Sequence, residues 1–129
     1  MNLTHGLGLM VLVALTMSPI AARAVSPLRF LGNSPVAYFQ QEDVDLMLKN
    51  AREVLDSADP NARQTWSNPR TGASGAAQVI GQFTTAAGVR CKRLRVFNRA
   101  RRVEGEATFP VCQTNGRDWV INADAQPAK

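Results

Sequence analysis

The chain has 129 residues, of which 45% are hydrophobic and 19% charged, and its 15 Lys and Arg against 10 Asp and Glu give a net charge of +5. This length allows one small domain. One histidine, His5, and two cysteines, Cys91 and Cys112, exclude a four-cysteine zinc site and leave almost no histidine chemistry.

The N-terminal region has the order of a secretory signal peptide. Residues 7–17 are an apolar run, LGLMVLVALTM, and the small-x-small triplet Ala22-Arg23-Ala24 follows shortly after. We predict a signal peptide over residues 1–24. An uncleaved anchor is the weaker alternative, because a spanning helix needs about 20 apolar residues. Val25 stands where a lipoprotein would carry its cysteine, so no lipid anchor is predicted. Cleavage would remove the only histidine, which favours a protein that is not an enzyme.

The remaining sequence divides into an extended arm, residues 25–39, and one α+β domain, residues 40–129. The arm contains Pro27 and Pro35. Its large apolar residues could still dock on the domain; they are Phe30, Leu31, Tyr38 and Phe39.

Apolar residues at helical spacing predict one amphipathic helix that begins near Glu42 and ends before Asp59-Pro60. The apolar stripe consists of Val44, Met47, Leu48, Ala51, Leu55 and Ala58. Acidic residues in the first turns suit the positive end of the helix dipole. Because the opposite face is acidic, we expect the stripe to pack on the core rather than on a membrane.

After Pro60, turn signals and β-branched residues predict an antiparallel β meander of about four strands. The turns are placed at Asn68-Pro69, Thr71-Gly72, Ala87-Gly88 and Asn115-Gly116. The strands are placed at residues 75–84, 89–98, 103–113 and 117–122, with a short additional strand near residues 65–67.

In an exported chain the two cysteines are expected to form one disulfide. If Cys91 faces Cys112, the hairpin turns at Arg101-Arg102. Pro110 would remove a ladder donor and predicts a bulge or an edge beside it.

The same register separates the hairpin into two faces. Leu94, Val96 and Lys92 share the face that we predict to be inner, opposite Phe109, Ala107 and Val111. We expect the helix to cover this face through Met47, Leu48, Ala51 and Leu55.

Three groups of residues resemble a known family. They are TWSNPRTGASG at residues 65–75, the two cysteine contexts CKR and VCQ, and NGRDWVI at residues 115–121. In this order they resemble the W-x-N-P-x-T-G-x-S-G, C-R and D-G-x-W-x-I motifs of the rickettsial 17-kDa surface antigen family, over residues 43–122 of this chain. The resemblance implies the C-terminal domain of a bacterial envelope protein with an antigenic or structural role. It implies no enzymatic reaction. The family's lipid-bearing cysteine and glycine zipper are missing here, and its hairpin glycine is replaced by Arg101-Arg102.

The motif residues also have a structural interpretation of their own. Trp66 and Trp119 would supply rings to the core, Asn68-Pro69 a turn, and Gly72 and Gly75 positive φ. Exposed indoles would instead suit stacking on a sugar ring.

Seven of the thirteen residues from 90 to 102 are cations, and none is acidic. The register predicts a basic ribbon on the other hairpin face and at the tip, formed by Arg93, Arg95, Arg99, Arg101 and Arg102. Such a ribbon suits polymers that carry phosphates or carboxylates. The alternative is a solvated strand face whose charge is partly neutralised by Glu104 and Glu106. These two acids could also be the carboxylate pair of a glycosidase, but cross-strand pairing with the arginines explains them better.

We predict a small exported cell-envelope protein, in the periplasm or at the cell surface or outer membrane, that acts as a non-enzymatic structural or binding module. Its expected partner is an anionic envelope component or an acidic envelope protein, and peripheral membrane association is compatible with its charge. Export disfavours nucleic acid, and no cofactor is predicted. No metal is predicted either, because Glu42, Asp43 and Asp45 in the first turns of the helix lack the loop of a calcium site. The alternative function is an inhibitor or assembly chaperone for an acidic secreted enzyme or secretion-machine component.

Overall fold

The computed structural model describes residues 34–129, so the predicted signal peptide and most of the predicted arm lie outside the described residues. Within this range the elements are one α-helix, α1 (Gln41–Asp56), and five strands, β1 (Arg63–Ser67), β2 (Ser74–Thr84), β3 (Arg90–Ala100), β4 (Val103–Thr114) and β5 (Asp118–Ile121). All neighbouring strands are antiparallel and follow chain order in one sheet. The predicted α+β meander is confirmed, and the short additional strand is present as β1.

The segment before α1 packs on the domain. Pro35–Tyr38 form a 3-10 helix rather than extended chain, and Pro35 is buried. Phe39 sets its ring edge-on to Trp66, with 5.4 Å between ring centroids. Phe39 therefore docks, whereas Tyr38 remains 45% exposed.

The β3–β4 hairpin has the predicted register. Cys91 lies opposite Cys112, and a disulfide joins them. Arg101 and Arg102 form the two-residue turn with φ of 48° and 66°. Positive φ at both central residues is typical of the mirror-image turns that match strand twist in hairpins.

Pro110 causes no bulge, but the predicted edge is confirmed. β5 pairs only with residues 111–114, so residues 103–110 of β4 have no neighbouring strand on that side among the described residues. The carbonyl of Pro110 accepts a hydrogen bond from the Asn122 amide at 3.0 Å, so its nitrogen also points away from β3. No β3–β4 ladder bond is therefore lost, and the register continues through this residue. The sheet's register shift lies instead in β2, between Val79 and Gly81.

α1 covers one face of the sheet, the inner face, and packs mainly on β1 and β2. The main core cluster lies between them and consists of Val54, Leu55, Ala62, Ala77, Val79, Leu94, Val96 and Val111. A second cluster at the start of α1 surrounds the buried Trp66 and includes Ala73, Ala100, Phe39, Leu46 and Met47.

The buried face of α1 is rotated relative to the predicted stripe. Leu48 is 42% exposed instead of covering the sheet, whereas Val54, which the stripe omitted, is fully buried. Asp43 has no exposed surface, although it belongs to the acidic first turn. Hydrogen bonds from Asn68, Thr71 and the Gln40 amide to the Asp43 carboxylate hold this side of the helix inward. Ala58 lies beyond the end of α1 and is exposed.

Candidate anion-binding face

The face of the sheet opposite α1, the outer face, carries the predicted basic ribbon. On β3, Arg93, Arg95 and Arg99 alternate with buried residues and are exposed. Successive residues on one face of a strand lie about 7 Å apart, so these guanidinium groups are spaced along the strand.

Two acids on β4 neutralise the ribbon only in part. Arg95 Nε lies 3.6 Å from Glu106, and Arg99 Nε lies 3.6 Å from Glu104. All four side chains are about half exposed. The predicted cross-strand pairing of the two acids is confirmed. Exposed pairs of this length contribute little energy, so an external anion can compete for both arginines.

The hairpin tip extends the basic surface. Arg101 and Arg102 are exposed and occupy the left-handed backbone region, which is unfavourable for residues with a Cβ. The guanidinium of Arg101 lies 5.6 Å from the centroid of the Tyr38 ring. At the other end of the ribbon, Arg93 lies 4.9 Å from the centroid of the Phe83 ring.

The disulfide closes the far end of the outer face. Cys91 and Cys112 are buried together with Ala125, and the Ala128 amide donates to the Thr84 carbonyl at 2.9 Å. The segment after β5 thus lies over the disulfide and leaves the arginines uncovered.

The structure adds Arg63, which the sequence reasoning missed. In β1 it pairs with Gln78, and Gln78 pairs with Arg95, so all three lie in one row across the outer face. Strand parity could have found it, because Trp66 points inward and the odd-numbered residues of β1 must then point outward. Arg90 and Lys92 have the opposite parity and belong to the inner face.

The family-like motif forms a buried polar network around Asp43. Oδ1 of this carboxylate accepts hydrogen bonds from Asn68 Nδ2 at 2.7 Å and Thr71 Oγ1 at 2.6 Å. Oδ2 accepts from the Gln40 amide at 2.9 Å, which also caps the start of α1. Burial alone would raise the pKa of Asp43. The three hydrogen bonds and the nearby Arg70 outweigh burial and hold that pKa below its ordinary value.

The structure assigns different roles to the two motif glycines. Gly72 has a φ of +76°, as predicted. Gly75 does not have positive φ. It is required because a Cβ there would lie 2.5 Å from Trp66 Nε1, from Asn98 Oδ1 and from the Phe97 carbonyl.

The alternative prediction that Trp66 and Asn68 bind a sugar ring is wrong, because these residues are only 8% and 3% exposed. Pro69 is exposed in the turn that follows β1. Trp119 is half-buried on the inner face and donates from Nε1 to Asp56 Oδ1 at 2.9 Å.

The side chain of Lys92 caps the C-terminal end of α1. Its ammonium donates to the carbonyls of Leu55 at 2.6 Å and Ser57 at 3.1 Å, and lies 5.3 Å from the centroid of the Trp119 ring. Burial lowers the pKa of Lys92, and the Asp56 carboxylate opposes this shift.

Two features are absent from residues 34–129. Within this range no helix combines the length and the apolar character that crossing a bilayer requires. The same residues contain no group of three or more His, Cys, Asp or Glu arranged to hold a metal ion.

The fold and the exposed arginines define a small disulfide-linked α+β domain with one covered and one open sheet face. The sequence model of the 17 kDa outer membrane surface antigen family matches residues 53–120, and the chain belongs to that family. Membership makes it an envelope-associated protein. No curated protein and no solved structure matches the chain.

Proposed function

We propose that this protein is a non-enzymatic envelope module that binds anionic polymers of the cell envelope through its outer face and hairpin tip. The observation that carries the proposal is the position of Arg95 and Arg99, exposed on a sheet face that α1 does not cover. Phosphates of lipopolysaccharide and carboxylates of the cell wall share the chemistry that a row of guanidinium groups recognises.

The hairpin tip supports the same function. A turn with positive φ at both central residues favours Asn-Gly, yet this chain has two arginines there. Residues with unfavourable backbone conformations of this kind are concentrated at functional sites. Two further cations at the tip lengthen the surface that a polymer could contact.

The test is cosedimentation of the purified protein with lipopolysaccharide and, separately, with peptidoglycan sacculi. We expect saturable binding to one of these polymers that weakens steeply with salt, since exposed charges are screened. The double variant R95Q/R99Q should bind about tenfold more weakly, because each charge-assisted contact contributes about 1.5–3 kcal/mol before screening reduces it.

The matched control is R52Q/R117Q, which removes two exposed charges from α1 and from the β4–β5 turn. Equal losses in both double variants would show that net charge, not the outer face, governs binding. Stoichiometric retention of an acidic envelope protein without polymer binding would favour the inhibitor or assembly-chaperone alternative.

A further inference from the structure

A cavity of about 500 Å³ opens on the inner face, beyond the end of α1. It forms because α1 ends at Asp56 while β2, β3 and β4 continue past the helix. One wall is the last turn of α1 and the residues after it, and the other is the end of the sheet with Trp119. Its volume falls within the range of small-molecule sites. This cavity lies on the opposite side of the sheet from the arginines of the proposed function.

The charges in this cavity are unequally compensated. The ammonium of Lys92 donates to the carbonyls of Leu55 and Ser57, and its charge is offset by the nearby Asp56 carboxylate. Arg90 has a neutral partner in the range of the chain that the structure describes, since its Nη2 donates to Gln113 Oε1 at 2.9 Å. Among residues 34–129 no carboxylate lies within ion-pair distance of Arg90. Arg90 therefore offers most of its guanidinium donors to a ligand anion.

The remaining lining suits hydroxyl groups. The side chains of Gln82 and Gln113 can each donate and accept hydrogen bonds, and Thr84 adds a hydroxyl group. Leu55 and the Trp119 ring supply apolar surface beside them. One uncompensated cation, several amide and hydroxyl groups and an indole together match a molecule with one carboxylate and several hydroxyls.

We infer that this cavity is a binding site for a small sugar acid, with its carboxylate on Arg90 and its hydroxyls on Gln82, Gln113 and Thr84. The site goes beyond the proposed function and does not depend on it. Affinity is expected near a Kd of about 1 mM, since a single saccharide unit makes few contacts.

The chain carries its own reporter and control for this test. Its two tryptophans are Trp119, at the cavity, and Trp66, buried in the other cluster. The ¹H–¹⁵N spectrum of the full chain therefore has one indole signal that should respond and one that should not. The probes are N-acetylmuramic acid and N-acetylglucosamine, the neutral sugar that lacks the lactyl carboxylate.

We expect N-acetylmuramic acid to shift the Trp119 indole signal and leave Trp66 unchanged, and N-acetylglucosamine to bind at least about tenfold more weakly. Arg90→Gln should weaken acid binding about tenfold, while Arg52→Gln on the exposed surface of α1 should not change it. A Trp66 indole signal at the wild-type position verifies that each variant is folded.

The inference fails if Trp119 does not respond, if both sugars shift it equally, or if Arg90→Gln binds like Arg52→Gln. The variant R95Q/R99Q separates the two proposals, because it should lose polymer binding and keep the Trp119 response. If the cavity binds no sugar acid, the proposal that the outer face binds anionic polymers is unaffected.

Discussion

Asp43 explains why the motif around Trp66 contains an asparagine and a threonine. A buried carboxylate needs several donors, and Asn68 and Thr71 supply two of them from the turn after β1. The third donor is the Gln40 amide at the start of α1. One side chain thus fixes the helix start and the motif turn relative to each other.

Asp43→Asn should lower the free energy of unfolding by about 2–3 kcal/mol at neutral pH, because an amide replaces one accepting oxygen and faces donors. The folded pKa of Asp43 is lower than the unfolded value of 3.8. Its stabilisation is therefore present above that value and is lost as pH falls through the folded pKa. Urea unfolding between neutral and acid pH should show a steeper loss for the wild type than for the variant.

Asp45→Asn is the matched control on the same helix. Asp45 is exposed, and within the described part of the chain its carboxylate accepts only from Gln41 Nε2, at 2.9 Å. Its substitution should change the unfolding free energy by less than about 0.5 kcal/mol. Similar losses at positions 43 and 45 would contradict the buried network.

Gly75→Ala should destabilise the protein by about 3 kcal/mol, because the added Cβ meets backbone oxygen and two packed side chains at 2.5 Å. Gly81→Ala offers the comparison within β2, since its Cβ would find its nearest neighbour at an ordinary 3.7 Å. Urea midpoints of the two variants give the measurement. A Gly75 variant as stable as the Gly81 variant would mean that Trp66 and Asn98 can move aside.

At the scale of elements, the β3–β4 hairpin combines a favourable register with an unfavourable turn. The disulfide and the apolar pairs on the inner face hold the strands together, and the turn residues follow from that register. The β4–β5 turn solves the same problem with Asn115 and Gly116, both at positive φ. Both turns thus have two successive residues at positive φ, but the β4–β5 loop has three residues, 115–117, where the β3–β4 loop has two.

The double variant R101N/R102G should raise the free energy of unfolding by about 1–2 kcal/mol, because Asn and Gly adopt positive φ more readily than arginine. Urea unfolding measures this gain, and the cosedimentation assay measures the accompanying loss of polymer binding. Greater stability with unchanged binding would remove the tip from the binding surface. No gain in stability would show that packing, including that of Arg101 on Tyr38, relieves the strain.

At the scale of the whole molecule, one disulfide stabilises a domain with a small core. It closes a loop between residues 21 apart in sequence, which is worth about 3 kcal/mol in the chain-entropy estimate. Stability of the whole domain is on the order of 5–15 kcal/mol, so the disulfide supplies a large share.

Reduction should lower the thermal midpoint by on the order of 10 °C or more. Circular dichroism melts with and without a reductant would measure this change, with mass spectrometry after alkylation to verify reduction. Coincident melts of oxidised and fully reduced protein would show that the sheet and α1 hold together without the bond.

The charge distribution of the molecule follows its layers. Residues 25–59 have a net charge of −3 and residues 60–129 a net charge of +7. Since α1 lies on the inner face and the arginine ribbon on the outer face, the charges are separated across the sheet. An anionic polymer would therefore be attracted to the open face.

The sequence alone determined the class of fold, the disulfide and the two faces of the β3–β4 hairpin. It could do so because side chains alternate with a period of two along a strand, and one cysteine pair then sets the whole register. The arginines of the ribbon were predicted for the same reason, since their positions depend only on parity along β3.

Only the tertiary structure decided the rotation of α1, the burial of Asp43, the need for Gly75 and the cavity at Arg90. Each depends on how the helix lies on the sheet. The apolar stripe of α1 is compatible with more than one rotation, and hydrogen bonds from a turn 25 residues away selected the one observed. The point at which α1 ends above the sheet created the cavity, and local patterns do not encode a distance between elements that meet only after folding.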